Sequence, residues 1–474
     1  MRRLEWCLVA AAVGGHLLTT APAYAEETKE VRTATATSSA RVAASRTSSI
    51  AVRTEKRALP NLDGRAPEGP DAGDVLIWVP RALLSPLHLV FEWGIRKPLG
   101  AILTVAERDQ WANVLLDFLT ADERKIGIVP TFFVDFNFRP SVGVYVFLNE
   151  VFVKEHSIRI AAGFGGADWR RVAISDRWQL GPSARLEFGV EFNERPDWIY
   201  TGEGISTDPD VRSRYNDEAV GGDVALRVDF WRGSEFRLEA GVNRHRFDDG
   251  DASDEDDIAL TEAVAQGAFA EPAAFTGGYF ASFQQVLLRL DTRQPRPVSQ
   301  TGFTATGYAR HGWDIDDPDA FHWFGYGGSL TGHLDLGHFR TLSLGGQVNL
   351  VDPVGDAEVP FTELFVLGRR PQDLSGFLPG ILRGRSAAVA TLEYTYPVWI
   401  FMDAAFQASV GNGFAPNFED FSLDALRASL GLGLKATQDD DNQFTLLFAF
   451  GTSRFDQPFS IDTFRFVFGT QTGF

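Results

Sequence analysis

The sequence predicts an all-β fold, a 16-stranded antiparallel transmembrane β-barrel preceded by a short N-terminal helical segment. Three observations lead to this prediction. Apolar and polar residues alternate from about residue 131 to the end, the alternating segments number sixteen, and their connections are short and long in turn. Single-chain bacterial barrels have an even number of strands, short periplasmic turns and longer extracellular loops.

The first 25 residues have the features of a secretory signal peptide. Arg2 and Arg3 form a positive start, an apolar run follows, and the segment ends in Ala-Tyr-Ala, which fits a small-x-small cleavage site. We therefore expect residues 1–25 to be removed from a bacterial exported protein. The only cysteine, Cys7, lies in this segment, so the mature chain would have no disulfide, no zinc-thiolate site and no cysteine nucleophile.

Two segments of different composition come next. Residues 26–73 are rich in Ala, Thr, Ser, Arg and Pro and contain no aromatic residue, which predicts a disordered periplasmic linker. Residues 74–125 are apolar with helix-like spacing, but Pro80, Pro86 and Pro98 divide the first part into short pieces. We expect one or two amphipathic helices on the periplasmic leaflet or against the barrel mouth. A small helical packing segment is the alternative.

Residues 131–474 carry the barrel pattern. In ARLEFGVEFN, at 184–193, the Ala, Leu, Phe, Val and Phe at even positions share one face, and the polar residues and glycine share the other. Lipid leaves no backbone group unpaired, so such a sheet must close on itself. The candidate strands lie near 131–139, 141–150, 156–165, 169–178, 183–193, 219–231, 234–246, 280–291, 301–310, 321–336, 338–351, 386–397, 399–410, 423–436, 442–451 and 461–474.

The connections test the topology independently. Short connections follow even-numbered segments, at 180–182, 232–233, 337–338, 397–398 and 437–441. Long connections follow odd-numbered segments, at 194–218, 247–279, 352–385 and 411–422, and 292–300 is an intermediate exception. This parity is expected of a barrel whose first strand rises from the periplasm. A soluble β-sandwich, the alternative, predicts no such parity.

Composition restricts the partners. The chain has a formal net charge of −19, and nucleic-acid binding requires clustered Lys and Arg, so we expect no nucleic-acid partner. Beyond residue 25 no run of 18 apolar residues predicts a transmembrane helix. The acidic run at 248–257 predicts a solvated outer loop, with weakly bound Ca²⁺ or lipopolysaccharide-bridging ions as the alternative.

Three stretches resemble the BamA/TamA superfamily, the bacterial surface antigen barrels that insert or translocate proteins. RPDWIYTGEGIS at 195–206 looks like its aromatic-x-Gly-x-Gly segment, and LRLDTRQPRPVSQTGF at 288–303 is similar to its Asp-Thr-Arg…Pro…Gly pattern. The stretch from 367 to 406, which contains GILRGRS, resembles the sixth extracellular loop and the two strands after it. The resemblance covers about 131–474 and is strongest over 360–474.

This resemblance implies a loop that folds back into the lumen, with an Arg-Gly tip that pairs with acidic residues of the wall. Arg383 and Gly384 match that tip. If Leu392, Tyr394, Tyr396, Met402, Ala404 and Phe406 face lipid, alternation directs Glu393 and Asp403 into the lumen. We therefore expect Arg383–Asp403 as the main pair and Glu393 as the second partner, with a solvated Arg383 as the alternative.

Further features bear on the resemblance. Arg427 and Lys435 also face inward by alternation. Arg385 stands where the family usually has an aromatic residue, and residues 26–130 show no strand pairs of the periplasmic POTRA type, which predicts a POTRA-less member. The final strand places four phenylalanines on one face, which resembles the C-terminal signal read by the barrel assembly machinery: Phe464, Phe466, Phe468 and Phe474.

The resemblance implies insertion or transport of outer-membrane proteins or lipids in the bacterial outer membrane, through a weak seam between the first and last strands. Gly469 and Gly473 would weaken pairing there. The expected partners are outer-membrane lipid and lipopolysaccharide, client outer-membrane proteins, and the assembly machinery during the chain's own insertion. The alternatives are a passive channel or porin with a loop plug, and a structural outer-membrane protein.

Enzymatic chemistry is not expected. The chain has no Gly-x-Ser-x-Gly nucleophile elbow and its eight histidines are scattered. We predict no catalytic residue, no cofactor and no metal ligand.

Overall fold

The computed structural model describes residues 78–98, 118–122, 125–207, 211–251, 257–294, 300–369, 373–399, 402–436 and 443–471. The predicted signal peptide and linker, residues 74–77, 99–117 and 123–124 of the predicted helical segment, and Gly473 and Phe474 lie outside these residues. The chain divides into two compact units, Met1–Val79 and Pro80–Phe474, and the second contains the barrel.

Sixteen long strands form the barrel. They are β1 Ile126–Asp135, β2 Ser141–Asn149, β3 His156–Gly166, β4 Trp169–Gln179, β5 Ala184–Tyr200, β6 Ser213–Trp231, β7 Ser234–Asp249, β8 Tyr279–Asp291, β9 Gly302–Asp314, β10 His322–Asp335, β11 Thr341–Pro353, β12 Ser386–Trp399, β13 Met402–Phe414, β14 Arg427–Ala436, β15 Gln443–Thr452 and β16 Ile461–Gln471. Each pairs antiparallel with the next, and β1 also pairs with β16. The barrel is therefore closed, which confirms the predicted fold class.

Four short strands accompany the barrel. Thr120–Ala121 pairs with the base of β1, and Ile258–Ala259 runs parallel to the start of β6. Phe365–Val366 and Arg383–Gly384 form a separate two-stranded ribbon.

The pleat gives the wall two chemical faces. On β4, Val172 and Ile174 are 44% and 45% exposed, whereas Ala173 and Ser175, which alternate with them, are buried. Successive side chains of a strand point to opposite faces, so the exposed apolar set faces lipid and the other set faces the lumen. Among the described residues, no helix is both long and apolar enough to cross a membrane.

Strands β5 and β6 extend further than the sequence pattern indicates. The predicted segment ended at residue 193, but β5 continues to Tyr200, and Trp198 still pairs with Tyr215 of β6. The apolar alternation ends at about residue 192, whereas the backbone ladder between β5 and β6 continues to Tyr200 opposite Ser213.

Short helices complete the fold. The N-terminal segment contains α1 Trp78–Leu83, α2 Ser85–Leu89 and a π-helical turn, Val90–Arg96. Pro86 lies in the first turn of α2, where proline is tolerated because its missing N–H would have no helical partner. Helix α3, Leu260–Ala265, lies in the β7–β8 connection. The 3₁₀ turns are Gly204–Ser206, Phe361–Glu363, Pro416–Phe418 and Leu423–Ala425.

A large apolar cluster lies at the extracellular end, between strand ends and the long connections. Tyr215, Phe247, Trp323 and Phe361 are among its buried members. The acidic run at 248–257 contributes to this end differently from the expected solvated loop. Asp257 is buried and accepts a 2.6 Å hydrogen bond from Arg214 Nε, while 252–256 lie outside the described residues.

Candidate functional site

The β1–β16 seam is the shortest junction of the described barrel wall. Its ladder consists of Phe133 opposite Gly469, Val134 opposite Phe468, and Asp135 opposite Val467. By contrast, β15 pairs with β16 from Gln443 to Thr452. Beyond this ladder, the Phe136 N–H donates to the Phe466 carbonyl at 3.0 Å. Among the described residues, the seam therefore has the fewest paired positions between neighbouring long strands.

Gly469 permits the close approach of the two seam strands. Its φ is +146°, and a Cβ atom there would lie 2.2 Å from the Phe132 carbonyl oxygen. An L-residue rarely adopts this φ, and the contact is far inside van der Waals range. A side chain at 469 would therefore force β1 and β16 apart.

Aromatic rings pack across the lipid side of the seam. Phe468 lies 5.1 Å from Phe132 and Phe466 lies 5.0 Å from Phe136, measured between ring centroids. Phe464 on the same face of β16 is 42% exposed. Three of the four phenylalanines of the predicted C-terminal signal thus share the lipid face, and Phe474 lies outside the described residues.

A buried ion pair closes the lumenal side of the seam. Arg465 on β16 donates from Nε and Nη2 to the two carboxylate oxygens of Asp135 on β1, at 3.0 and 2.7 Å. Its Nη1 also donates to the carbonyl oxygens of Gly368 at 2.5 Å and Phe377 at 3.3 Å. The guanidinium therefore joins β16 both to β1 and to the β11–β12 connection.

The sequence contains a partial signal for this pair, which was not among the predicted contacts. Alternation directs Asp135 and Arg465 inward, and barrel closure makes the first and last strands neighbours. Opposite charges that face inward on the two terminal strands make the pair a candidate, but the register that brings the two side chains level comes only from the structure.

The β11–β12 connection buries an apolar stretch. Leu374, Phe377 and Ile381 are each 0% exposed, and they cluster with Phe138 and Ile199. Burial of several large apolar side chains in a connection is unusual, because connections normally run over the surface.

Hydrogen bonds fix the backbone of this connection to β14, to β16 and to the residue that follows β5. The Gly376 N–H donates to Ser429 Oγ of β14 at 2.7 Å, and Thr463 Oγ1 of β16 donates to the Gly376 carbonyl at 2.7 Å. Thr201 Oγ1, just after β5, donates to the Ile381 carbonyl at 2.6 Å. A Cβ at Gly376 would lie 2.2 Å from the Phe450 backbone, so the connection is in direct contact with the wall.

Arg383 is buried, 1% exposed, but its partners are not the expected carboxylates. Its Nη1 donates to the Phe361 carbonyl at 2.6 Å, and its Nη2 donates to Tyr215 Oη at 3.3 Å. The guanidinium carbon lies 5.2 Å from the ring centroids of Tyr200 and Phe361, within cation–π range. Tyr200 belongs to the RPDWIYTGEGIS stretch, so two of the family-like stretches meet here.

The structure does not bring Arg383 and Asp403 together. A Cβ at Gly413 would lie 2.8 Å from the Arg383 carbonyl carbon, which places Arg383 at the extracellular end of β13. Asp403 lies at the opposite, periplasmic end of that strand, and ten residues of strand span about 30 Å. Arg383 comes only three residues before β12 begins, so it cannot reach the periplasmic half of the lumen.

Glu393 and Lys435 form a separate pair in that half. Lys435 Nζ lies 2.7 Å from Glu393 Oε1, and Asp403 is opposite Lys435 in the β13–β14 ladder. Three of the predicted lumenal residues are thus neighbours, but without Arg383. Arg427 lies at the other end of β14 and donates to Asp462 at 3.0 Å.

The remaining tip residues have distinct positions. Gly384 fits against β13, since a Cβ there would lie 2.5 Å from the Phe414 nitrogen. Arg385 does not compete with Arg383 for a carboxylate. Its Nη2 lies 3.4 Å from Asp352 Oδ1, near the end of β11.

No group of three or more His, Cys, Asp or Glu residues in the described part of the chain is arranged to hold a metal ion.

Comparison with known proteins gives both a family match and structural neighbours. The Omp85 superfamily domain matches residues 154–471. BamA from Haemophilus ducreyi lacking POTRA domains 1–3 is similar with a TM-score of 0.52 and 13% identity, over 73% of this chain and 70% of that chain. CdiB from Acinetobacter baumannii has a TM-score of 0.47 and 13% identity, over 72% of this chain and 59% of that chain. No curated protein sequence matches. At these identities, structural likeness concerns the fold alone.

Proposed function

The chain belongs to the Omp85 superfamily and is an outer-membrane β-barrel, and on this premise we propose that it inserts or transports outer-membrane proteins or lipids. In this proposal β1 and β16 part, and a client strand or lipid passes between them. The partners are client outer-membrane proteins, outer-membrane lipid and lipopolysaccharide, and the assembly machinery during the chain's own insertion. No covalent step is required, so we expect no enzymatic activity.

The short β1–β16 ladder is the observation that carries this proposal. An unpaired backbone group in lipid costs several kcal/mol. A wall therefore opens at the lowest cost where the fewest ladder bonds must break, and among the described strands this is the seam. The edge freed on β1 would offer backbone donors and acceptors to an incoming strand.

We assign a second role in the same process to the β11–β12 connection. In this proposal it lies in the lumen as a plug, and Arg383 and Gly384 hold its C-terminal end against the extracellular cluster. The buried side chains Leu374, Phe377 and Ile381 support this role, as do the hydrogen bonds of Gly376 to β14 and β16.

A pair of cross-links tests seam opening. Cys7 is the only cysteine, so Cys7→Ser gives a background for engineered disulfides. Val134→Cys with Phe468→Cys joins β1 to β16, because these residues are directly opposite. Leu446→Cys with Phe468→Cys is the matched control, since it joins the same β16 residue to its permanent neighbour β15.

The assay is the folding rate of an unfolded eight-stranded barrel client in liposomes that contain the protein. We expect acceleration by the parent and by the β15–β16 cross-link, loss of acceleration with the seam cross-link, and recovery on reduction. Equal acceleration with the seam oxidised and reduced would contradict seam opening.

A passive channel is the second candidate function, and the inner face of β4–β7 favours it. That face carries ion pairs typical of a hydrated lumen, such as Arg185–Glu187 at 2.6 Å and Arg227–Glu235 at 2.8 Å. Steady conductance in planar bilayers that persists with the seam oxidised, together with no client folding, would favour the channel.

A further inference from the structure

The N-terminal helical segment packs one face on the outer side of the barrel wall. Phe91 is 0% exposed, and its ring lies 6.0 Å from that of Tyr394 and 5.8 Å from that of Tyr396 on β12. Both tyrosines share the outward face of β12 with the exposed Leu392. The expectation that they face lipid is therefore corrected: they point outward, but the segment covers them.

Polar contacts fix this orientation. Arg81 Nε donates to the Leu336 carbonyl at 2.8 Å, in the short turn between β10 and β11. Tyr396 Oη donates to the Glu92 carboxylate and accepts from Arg96 Nη1 at 3.2 Å. These contacts lie at the periplasmic end of the barrel, because the short turns are at that end.

The opposite face of the segment is apolar and exposed. Leu83, Leu89, Val90 and Trp93 are 75%, 56%, 53% and 64% exposed. A helix that packs on a protein in water normally turns charged residues toward the solvent. This segment therefore has apolar residues both toward the barrel and away from it.

The neighbouring wall is lipid-facing. Leu344 on β11 and Leu392 on β12 are 65% and 41% exposed on the outer face. Since the segment rests on this outer face, its exposed side points away from the barrel axis and into the surrounding bilayer. The exposed apolar side chains of the segment thus lie on the same outer side of the barrel as the exposed Leu344 and Leu392.

Charged and aromatic residues at the end of the segment match a membrane interface. Lys97 Nζ lies 2.9 Å from the centroid of the Trp93 ring, and the side chain of Arg96 is 52% exposed. Trp and basic residues are characteristic of helices at the level of lipid headgroups.

We propose that residues 80–98 form an interfacial anchor that buries Leu83, Leu89, Val90 and Trp93 in the periplasmic phospholipid leaflet, beside β11 and β12. Arg96 and Lys97 contact anionic headgroups at its edge. The occupant of this surface is lipid, and the barrel supplies the platform that holds the segment at the level of the leaflet.

Single cysteines in the Cys7→Ser background test this inference. An environment-sensitive fluorophore is attached at Leu89→Cys or Trp93→Cys, with Leu344→Cys as the lipid-facing control. Leu423→Cys, 70% exposed in the extracellular β13–β14 connection, is the control for water. Folding of each variant is verified by heat-modifiable migration on gels.

The probe is a vesicle of phosphatidylethanolamine and phosphatidylglycerol with brominated acyl chains. We expect quenching at 89 and 93 of at least about half that at 344, and protection there from aqueous iodide. Iodide accessibility like that at 423 would overturn the inference. Protection from both quenchers would also overturn it, because it would show that a protein surface, such as a second copy, covers the face.

Discussion

Removal of the Arg465–Asp135 pair is the most direct test of how the seam is held. The two side chains are 6% and 4% exposed. Arg465→Ala deletes both bonds to the carboxylate and both bonds to the carbonyls of Gly368 and Phe377. Asp135→Ala deletes only the carboxylate, so the two changes together separate the seam contact from the contact with the connection.

The magnitude follows from burial. Removal of one partner of a buried ion pair costs about 3–5 kcal/mol, because the other charge remains without compensation. Arg465→Ala also leaves two carbonyl groups without a donor, at about 1–3 kcal/mol for each one that stays dry. We therefore expect Asp135→Ala to lower the free energy of unfolding by about 3–5 kcal/mol and Arg465→Ala to lower it further.

The assay is equilibrium unfolding in urea, with the protein in lipid vesicles, followed by tryptophan fluorescence and by heat-modifiable migration. The double variant completes a double-mutant cycle, in which we expect a coupling of about 2 kcal/mol or more. The matched control is Arg171→Ala with Glu191→Ala, a 2.8 Å lumenal pair whose side chains are 27% and 46% exposed. An exposed pair of this kind contributes about 0.2–1 kcal/mol.

Additive losses at 135 and 465, with a coupling no greater than that of the control pair, would refute the reasoning. Such a result would mean that water in the lumen compensates each charge separately. The seam would then depend on its short ladder and its aromatic contacts alone.

Three other predictions concern single positions. Gly469→Ala should lower the free energy of unfolding by about 1–3 kcal/mol in urea titrations, whereas Gly307→Ala, with open space around its Cβ, should change it by less than about 0.5 kcal/mol; equal effects would disprove strain at 469. Arg383→Ala should lower the free energy of unfolding by about 1–3 kcal/mol, since it leaves the Phe361 carbonyl unpaired. A double-mutant cycle with Asp403→Ala should show a coupling energy below about 0.5 kcal/mol. The hydrogen bond from Tyr396 lowers the pKa of Glu92 below its ordinary value of 4.5. The stabilisation of the docked segment by ionised Glu92 is therefore fully present above pH 4.5 and is lost as the pH falls through the lowered pKa. The protection of residues 80–98 from hydrogen exchange, measured relative to the intrinsic exchange rate at each pH, should therefore fall in acid, and Glu92→Gln should remove this pH dependence.

The sequence predicts the barrel well because its signals are local. Alternation needs only the pleat of one strand, and connection parity needs only the order of neighbours. Segment ends were less accurate where the ladder outlasts the apolar pattern, as at Tyr200 of β5. There, pairing with β6 extends the strand beyond its apolar alternation, and no property of the β5 sequence alone predicts this extension.

The partners of site residues were harder to predict. Alternation predicts the face of Glu393, Asp403 and Lys435, but it does not predict the depth of a residue along the barrel axis. Arg383 and Asp403 are separated along the barrel axis, because one lies at the extracellular end of β13 and the other at its periplasmic end. The Arg465–Asp135 contact depends on the register between the first and last strands, and no turn in the sequence fixes that register.

Packing of distant segments was also hidden from sequence reasoning. Tyr394 and Tyr396 have the outward parity of lipid-facing residues, and only the fold shows Phe91 against them. The rings around Arg383 come from β5, β6 and the β11–β12 connection, so the cluster exists only after closure. Among the rings around Arg383, Tyr200 lies in the family-like RPDWIYTGEGIS stretch.

Arg465 belongs to two sets of contacts that are far apart in the chain, the β1–β16 seam and the β11–β12 connection. A client in the lumen that displaces the β11–β12 connection would remove the Gly368 and Phe377 carbonyls that orient the guanidinium. The ion pair between Arg465 and Asp135 would then weaken. Thermodynamic reciprocity requires the converse, so that separation of β1 from β16 loosens the connection by the same free energy. Displacement of the connection from the lumen and opening of the seam toward the bilayer would then be coupled through a single guanidinium. This coupling would require no movement of a separate domain.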